Sequence, residues 1–313
     1  MLTDMEVVVI GAGVSGLTTG VCLAEAGHTV TIRTAALPER TTSVAAGAIW
    51  GPVHVGPADR ALGWAQHSLD VLTKLANDPD SGVRMISGKE VTRTEAEMPF
   101  WAELLPGMRW CEPAELAPGF AGGWHYTAPL ASMPVYLDYL RKRYALAGGM
   151  LEVAEVPTLE VAPVVVNCSG IASHYLVPDR QLYPVRGQVV IAENPGVDEF
   201  FISRDEPLPS TVYMFPHADT ILIGGTMEEG DWELTPKPHI AERIVAGALE
   251  IEPRLHGCRI LEHRVGLRPC RPEVRLEPEV VGDSLVWHNY GHGGAGISLS
   301  WGCAAEIASR ISD

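Results

Sequence analysis

What this chain lacks narrows the field first. No apolar run reaches the roughly 18 residues expected of a membrane-spanning helix. Residues 1–6 lead straight into an apolar stretch, which leaves no room for a signal peptide. The closing residues, Arg310-Ile311-Ser312-Asp313, are not a peroxisomal tripeptide. The expectation is a cytoplasmic protein with no membrane partner. Basic residues are in deficit, 23 Lys and Arg against 39 Asp and Glu, for a formal charge of −16. That balance argues against nucleic acid and anionic membrane surfaces. The six cysteines (Cys22, Cys111, Cys168, Cys258, Cys270 and Cys303) are scattered and form no CxxC pair. This argues against a structural zinc site or a disulfide framework, and for reduced, mostly buried thiols. There is no internal repeat and no low-complexity segment. No convincing Ser/His/Asp set, paired carboxylates or metal-ligand cluster stands out.

What is present is a globular composition. Of 313 residues 46% are hydrophobic and 20% charged, enough for a large core and long enough for two interleaved domains. The organising stretch is VVVIGAGVSG, residues 7–16. Four apolar residues read as a buried parallel strand, and Gly11, Gly13 and Gly16 then form GxGxxG before a helix. Gly11 allows the tight turn, Gly13 lets backbone approach a pyrophosphate, and Gly16 lets the helix pack close on the sheet. Ala12, Val14 and Ser15 complete the loop, whose helix N-terminus offers N–H groups and a positive dipole end. A second strand follows at residues 28–34. An acid is expected at its end to hold the adenosine ribose, yet the chain has Arg33-Thr34-Ala35-Ala36 there, and the next acid is Glu39. Arg33 suits a ribose hydroxyl or the 2′-phosphate of NADP, so this motif alone leaves FAD, NAD and NADP open.

Further along, residues 37–43 are a polar connection and residues 44–50 are small and apolar, fit to lie against a flat ring. Leu62, Ala65, Leu69, Leu72 and Leu75 predict a helix over 57–77. Residues 83–94 read as strand or hairpin, and 99–127, rich in Pro, Gly and Trp, as a long loop region. A helix is predicted over 134–146, ended by Gly148-Gly149, then strands at 150–156 and 164–170. A fresh run of strands is expected at 186–191, 199–203, 212–216 and 220–226, then a helix over 235–249. The last helix spans 297–311. Just before it lies HNYGHGGAGIS, residues 288–298, with four glycines. This is a second cradle at a second helix N-terminus. Two cradles at opposite ends of the chain suit an extended cofactor such as FAD.

With this motif, Asn167-Cys168-Ser169-Gly170, Arg186-Gly187-Gln188 and the GLRPCRP stretch at 266–272, the chain resembles the D-amino-acid oxidase family, in its bacterial type. The resemblance covers nearly the whole length. It implies an α/β fold: a Rossmann-like FAD-binding domain with an inserted α+β substrate domain on a mixed or antiparallel sheet. The expected division is 1–54, 134–185 and 264–313 for FAD, and 55–133 and 186–263 for substrate. It implies noncovalent FAD, held by residues 11–16 with Arg33, Thr34, Thr41, Thr42, Ser43, Ala46, Gly47, Val156 and Ser169, and by Gly293, Gly294, Gly296, Ile297 and Ser298. It implies oxidation of a D-amino acid to an imine, which hydrolyses to a 2-oxo acid and ammonia, with molecular oxygen reduced to hydrogen peroxide. The family's carboxylate-binding arginine falls on Arg268, its supporting tyrosine on Tyr213, and the carbonyl that holds the amine on Gly294. A planar guanidinium fork suits a carboxylate. Arg271 and Arg275 are read as possible surface arginines, and His292 as shaping the cradle rather than acting as a base.

Two departures stand out. Residues 206–210 carry no tyrosine where mammalian members have a mobile one, which argues against a tyrosine lid. Gly51 replaces a glutamine and widens one wall. His54 and His217 flank these segments and read as solvated or core histidines. Three rivals stay open: a glycine- or sarcosine-type amine oxidase, an NADP-dependent reductase suggested by Arg33, and a flavin-holding protein without turnover. A homodimer is also left open.

Overall fold

The computed structural model describes residues 5–53, 55–95, 97–204 and 212–312. The chain divides into two compact units. One is Met1–Val83, Ala131–Pro184 and Arg268–Asp313; the other is Arg84–Leu130 and Val185–Leu267.

The first unit is built on parallel strands. Glu6–Ile10 pairs with Thr29–Thr34 on one side and Val164–Asn167 on the other. Met150–Val153 extends the sheet beside Thr29–Thr34, and Ser284–His292 extends it beside Val164–Asn167. Val7, Val8, Val9 and Ile10 are all buried, as a parallel strand covered on both faces requires. On one side Val8, Ile10, Val165 and Val286 pack with Leu159 and Val177. The helix Val14–Glu25 packs on the sheet through Gly20, where an added Cβ would fall 2.8 Å from Ile32 Cδ1 and 3.1 Å from the Tyr144 ring. Tyr144, on the helix Met133–Leu146, donates its hydroxyl to Val30 O at 2.7 Å and accepts from the N–H of Ile32. That one side chain ties the helix to the second strand.

The expected boundary after residue 54 is corrected. The helix Ala58–Leu75 belongs to the first unit, packed against the last helix, Gly296–Ser312. At Gly302 an added Cβ would lie 2.3 Å from Trp64 Cα, and the Gly302 N–H donates to Ser68 Oγ at 3.1 Å. The glycine allows near backbone-to-backbone approach, which amphipathic spacing cannot announce.

The second unit carries a mixed sheet. Phe200–Ser203, Tyr213–Pro216, Thr220–Gly224 and Tyr183–Glu193 follow one another antiparallel, and Val83–Thr92 lies parallel to Phe200–Ser203. One face packs Val190, Ala192, Met214, Ile221 and Ile223 against Ile240, Ala241, Ile244 and Ala248 of the helix Pro238–Ile251. Two sequence expectations are amended. The region 99–127 is not all loop, since it contains Arg109–Trp110 and enters the strand Gly122–Ala131. The GLRPCRP stretch lies within one long strand, Ile260–Val281, despite its prolines. Its pairing with Ser284–His292 runs Cys270↔His292 and then Arg275↔Tyr290, so the residues between bulge out of the ladder. The bulge is held by Val274 N–H on Gly56 O at 2.7 Å.

Candidate active site

At the first glycine loop the chain leaves its strand through Gly11 at φ +102°. A side chain there would meet Cys168 O at 2.6 Å, and one at Gly16 would meet Gly11 O at 1.9 Å. The helix Val14–Glu25 starts from Gly13, with no acidic residue in its first turn. The N–H groups of Ser15 and Gly16 lie in that turn, ahead of the ladder bond from Leu17 N–H to Gly13 O. The Val14 N–H donates to Ser43 Oγ at 3.0 Å. Gly13 faces the same hydroxyl, an added Cβ falling 3.1 Å from it and 3.9 Å from Thr41 Oγ1. The turn Thr42–Ala45 thus sets hydroxyls against a positive helix end. Beyond it come half-buried Gly47 and exposed Ala46. Thr41 also donates to Pro38 O, and Thr34 to Ala36 O.

The end of the second strand differs from its reading. Arg33 Nε forms an ion pair with Glu152 Oε2 at 3.0 Å, the two residues facing each other in register. A carboxylate thus stands beside Arg33 on the neighbouring strand. The cation that suggested a 2′-phosphate is matched by an acid instead. Glu152 was legible only by pairing residues 31–34 with 150–153. Val156 is half-buried and packs on the Val8/Val165 cluster. Ser169 donates to Asn167 Oδ1 at 2.7 Å and shares a hydrogen bond with Ser173.

The second cradle follows the strand Ser284–His292. Gly293, at φ +52°, donates to Pro269 O at 2.9 Å. Gly296 stands against the first cradle, where a Cβ would lie 3.6 Å from Val14 Cγ1. Ile297 is buried, and Ser298 Oγ accepts from the Gly51 N–H at 2.9 Å. Gly51 itself has open space where a Cβ would go. Arg268 lies along Gly294: a Cβ there would be 3.7 Å from Arg268 Cδ and 3.9 Å from its Nε. The fold therefore brings Arg268 and Gly294 together, at the cradle that meets the first helix end. These two glycine-lined helix starts, with no room for side chains on the backbone of the first, fit an extended dinucleotide.

Arg271 and Arg275 are not surface arginines. Arg271 pairs with Asp179 at 2.8 Å, their side chains 14% and 6% exposed. Arg275 pairs with Glu277 and Glu279 and donates to Tyr290 Oη at 3.0 Å. His292 is buried, and burial pushes its pKa down to about 4. It is neutral near pH 7 and a weak base, in keeping with a role in shaping the cradle. Of the cysteines, Cys168 and Cys303 are buried and the other four half-buried, all as free thiols.

In the second unit Tyr213 faces Gly224 across the sheet. Its ring occupies the space a Cβ at Gly224 would need, 2.0 Å from Cζ, and its hydroxyl lies 2.6 Å from the Cβ position of Gly225. Phe215 stacks on it at 5.1 Å. The Arg186-Gly187-Gln188 motif acts in the fold. Buried Arg186 donates to Glu233 O and Thr235 O, and Gln188 Nε2 to Lys237 O at 2.9 Å. His217 is held to about 4 by burial, then by the charges of Arg84 and Arg264. His54 and the 206–210 segment lie outside the described residues. Among the described residues no group of three or more His, Cys, Asp or Glu is placed to hold a metal.

A family model described as FAD dependent oxidoreductase matches residues 6–310. A D-amino-acid oxidase of Rubrobacter xylanophilus is 46% identical over 96% of this chain and 94% of its own. The human D-aspartate oxidase is 36% identical, covering 98% of this chain and 95% of its own. In fold, the crystal structure of glycine oxidase from Geobacillus kaustophilus superposes with a TM-score of 0.84, at 21% identity, over 99% of this chain and 95% of that one. Matched almost end to end by that model, with both glycine cradles built to receive the cofactor, this chain belongs to the FAD-dependent oxidoreductases.

Proposed function

We propose that this protein oxidises D-amino acids to imines, which hydrolyse to 2-oxo acids and ammonia. The observation that carries the reading is Arg268 lying against Gly294 at the second cradle, in a chain 46% identical to a D-amino-acid oxidase. FAD, when bound, supplies the two-electron acceptor for the α-hydrogen and passes the electrons to molecular oxygen, giving hydrogen peroxide. Residues 11–16, the Thr41–Ser43 hydroxyls and the Gly293–Ser298 loop hold it. Arg268 grips the substrate carboxylate with its guanidinium fork, and the Tyr213 hydroxyl donates to the same group. The Gly294 carbonyl accepts a hydrogen bond from the substrate amine and so orients the α-carbon. Three fixed points leave one hand of the substrate with its hydrogen correctly placed, and most of the rate comes from that placement.

No helix among the described residues is long and apolar enough to cross a membrane, and we place the protein in the cytoplasm. A homodimer is the assembly to look for by light scattering. The test of function is a panel of D- and L-amino acids, glycine, sarcosine and simple amines on the FAD-loaded protein, read by peroxide release. D-amino acids should turn over and their mirror images should not. Equal rates with D- and L-alanine would sink the reading, and a preference for glycine or sarcosine would replace it.

A further inference from the structure

The second unit holds a charged pair, its carboxylate buried and its guanidinium half-buried, that the proposed reaction does not use. Tyr213 is opposite Ile202, and Ile202 is beside Glu90, so all three share one face of the sheet. Arg204, two residues beyond Ile202, returns to that face. The opposite face is the one covered by the helix Pro238–Ile251, through Met214, Ile223 and Val190. On the Tyr213 face, Glu90 is 2% exposed. Its carboxylate accepts the Tyr126 hydroxyl at 2.8 Å and forms an ion pair with Arg204. The Arg204 guanidinium sits above the Trp124 ring, 5.8 Å from its centroid. Burial lowers the Arg204 pKa to about 10, which keeps it a cation at neutral pH.

A carboxylate is costly to bury, and replacing such a pair by apolar side chains is often neutral or better for stability. Its position suggests why it is kept. Strand rise puts Arg204 about 7 Å along the face from the Tyr213 level, within reach of a substrate side chain whose α-carboxylate is held at Tyr213. Left alone, a cation there attracts a second carboxylate. Paired with Glu90, it offers no net charge to hold one. We propose that Glu90 is a specificity-determining residue, which by neutralising Arg204 reserves the Tyr213 face for D-amino acids with uncharged side chains. This rests on the reading of Tyr213 and of D-amino-acid oxidation given above.

The test compares kcat/KM for D-aspartate, D-glutamate and D-alanine on the FAD-loaded protein. The wild type should use the acidic substrates at least about a hundredfold less well than D-alanine. In Glu90→Gln the amide still accepts from Tyr126 but leaves the Arg204 charge unmatched. The ratio of acidic to neutral kcat/KM should then rise about tenfold or more, as expected for a close charge pair. The double variant Glu90→Gln with Arg204→Gln should return the ratio to the wild-type value. Succinate should bind Glu90→Gln more tightly than wild type, followed by flavin absorbance, while butyrate should not. A Glu90→Gln protein that holds FAD and oxidises D-alanine with an unchanged ratio overturns the proposal, leaving a pair that only supports the fold. So does a wild type that oxidises D-aspartate as well as D-alanine, a measurement that needs no variant. No turnover of any D-amino acid would instead defeat the proposed function itself.

Discussion

Arg268→Ala is the substitution with the most at stake. In the structure this residue is half-buried, and a Cβ added at Gly294 would meet its side chain at van der Waals distance. If Arg268 holds the substrate carboxylate as proposed, removing it takes both arms of the fork from that anion. Truncating one partner of a desolvated, hydrogen-bonded charge pair costs about 2–5 kcal/mol. At about 1.36 kcal/mol per factor of ten, kcat/KM for D-alanine should fall roughly 30- to several-thousand-fold. Arg268→Lys should recover part of this, since an ammonium keeps the charge but not the bidentate geometry. FAD should stay bound in both variants, seen as an unchanged flavin to protein absorbance ratio. Arg271→Ala is the control. It breaks the pair with Asp179 and should lower Tm with much less effect on kcat/KM. An Arg268→Ala protein with near-normal kcat/KM and full flavin content would refute the assignment of Arg268 to the substrate carboxylate.

Further outcomes follow from other positions. Gly224→Ala would place a Cβ 2.0 Å from Tyr213 Cζ, so the ring must move; KM should rise several-fold while FAD is retained, and Tyr213→Phe, which keeps the ring, should cost about 1 kcal/mol for one hydrogen bond. Gly302→Ala would drive a methyl into the Trp64 backbone at 2.3 Å, an overpacking worth about 1–3 kcal/mol or more that thermal melts should show as a lowered Tm. His292 is held at about 4 against an ordinary 6.5, so between those values the unfolded chain binds the extra proton. Stability should therefore fall as pH drops from 6.5 towards 4, by up to about 1.4 kcal/mol per pH unit from this residue, and His292→Asn should flatten that slope in melts taken across the window. Acid precipitation should release all flavin to the supernatant, since its attachment is expected to be noncovalent; colour left in the pellet contradicts this.

The local parts of this fold were legible where one residue type at one place has a single structural use. Gly11 and Gly16 are such positions, since a Cβ at either would fall 2.6 Å or less from a carbonyl oxygen. The helical spacing of apolar residues likewise marks the helix Ala58–Leu75. It says that Ala65, Leu69, Leu72 and Leu75 are buried, but not that the helix packs on one more than two hundred residues further on. The strand Ile260–Val281 was hidden for a different reason. Proline interrupts ladder hydrogen bonding, so Pro269 and Pro272 read as breaks. The chain instead bulges there and lets Gly56 and the Asp179 region take up the freed groups. Long-range polar pairs leave no trace at all in spacing. Arg33 with Glu152, and Glu90 with Arg204, become visible only once register brings their strands together. At the site, the Arg268 and Gly294 neighbourhood was anticipated through family resemblance rather than through periodicity.

The last helix, Gly296–Ser312, has a consequence for how the protein comes into being. It packs against Val14–Glu25 and Ala58–Leu75, and its first residue closes on Val14. A ribosome makes the first cradle well before the second. Until residues 293–312 emerge, Thr18 and Trp64 lack the backbone they meet on that helix, and the nucleotide site has one wall. Capture of FAD thus waits for the second cradle. Until then the nascent chain carries apolar helix faces open to chaperones and to other chains.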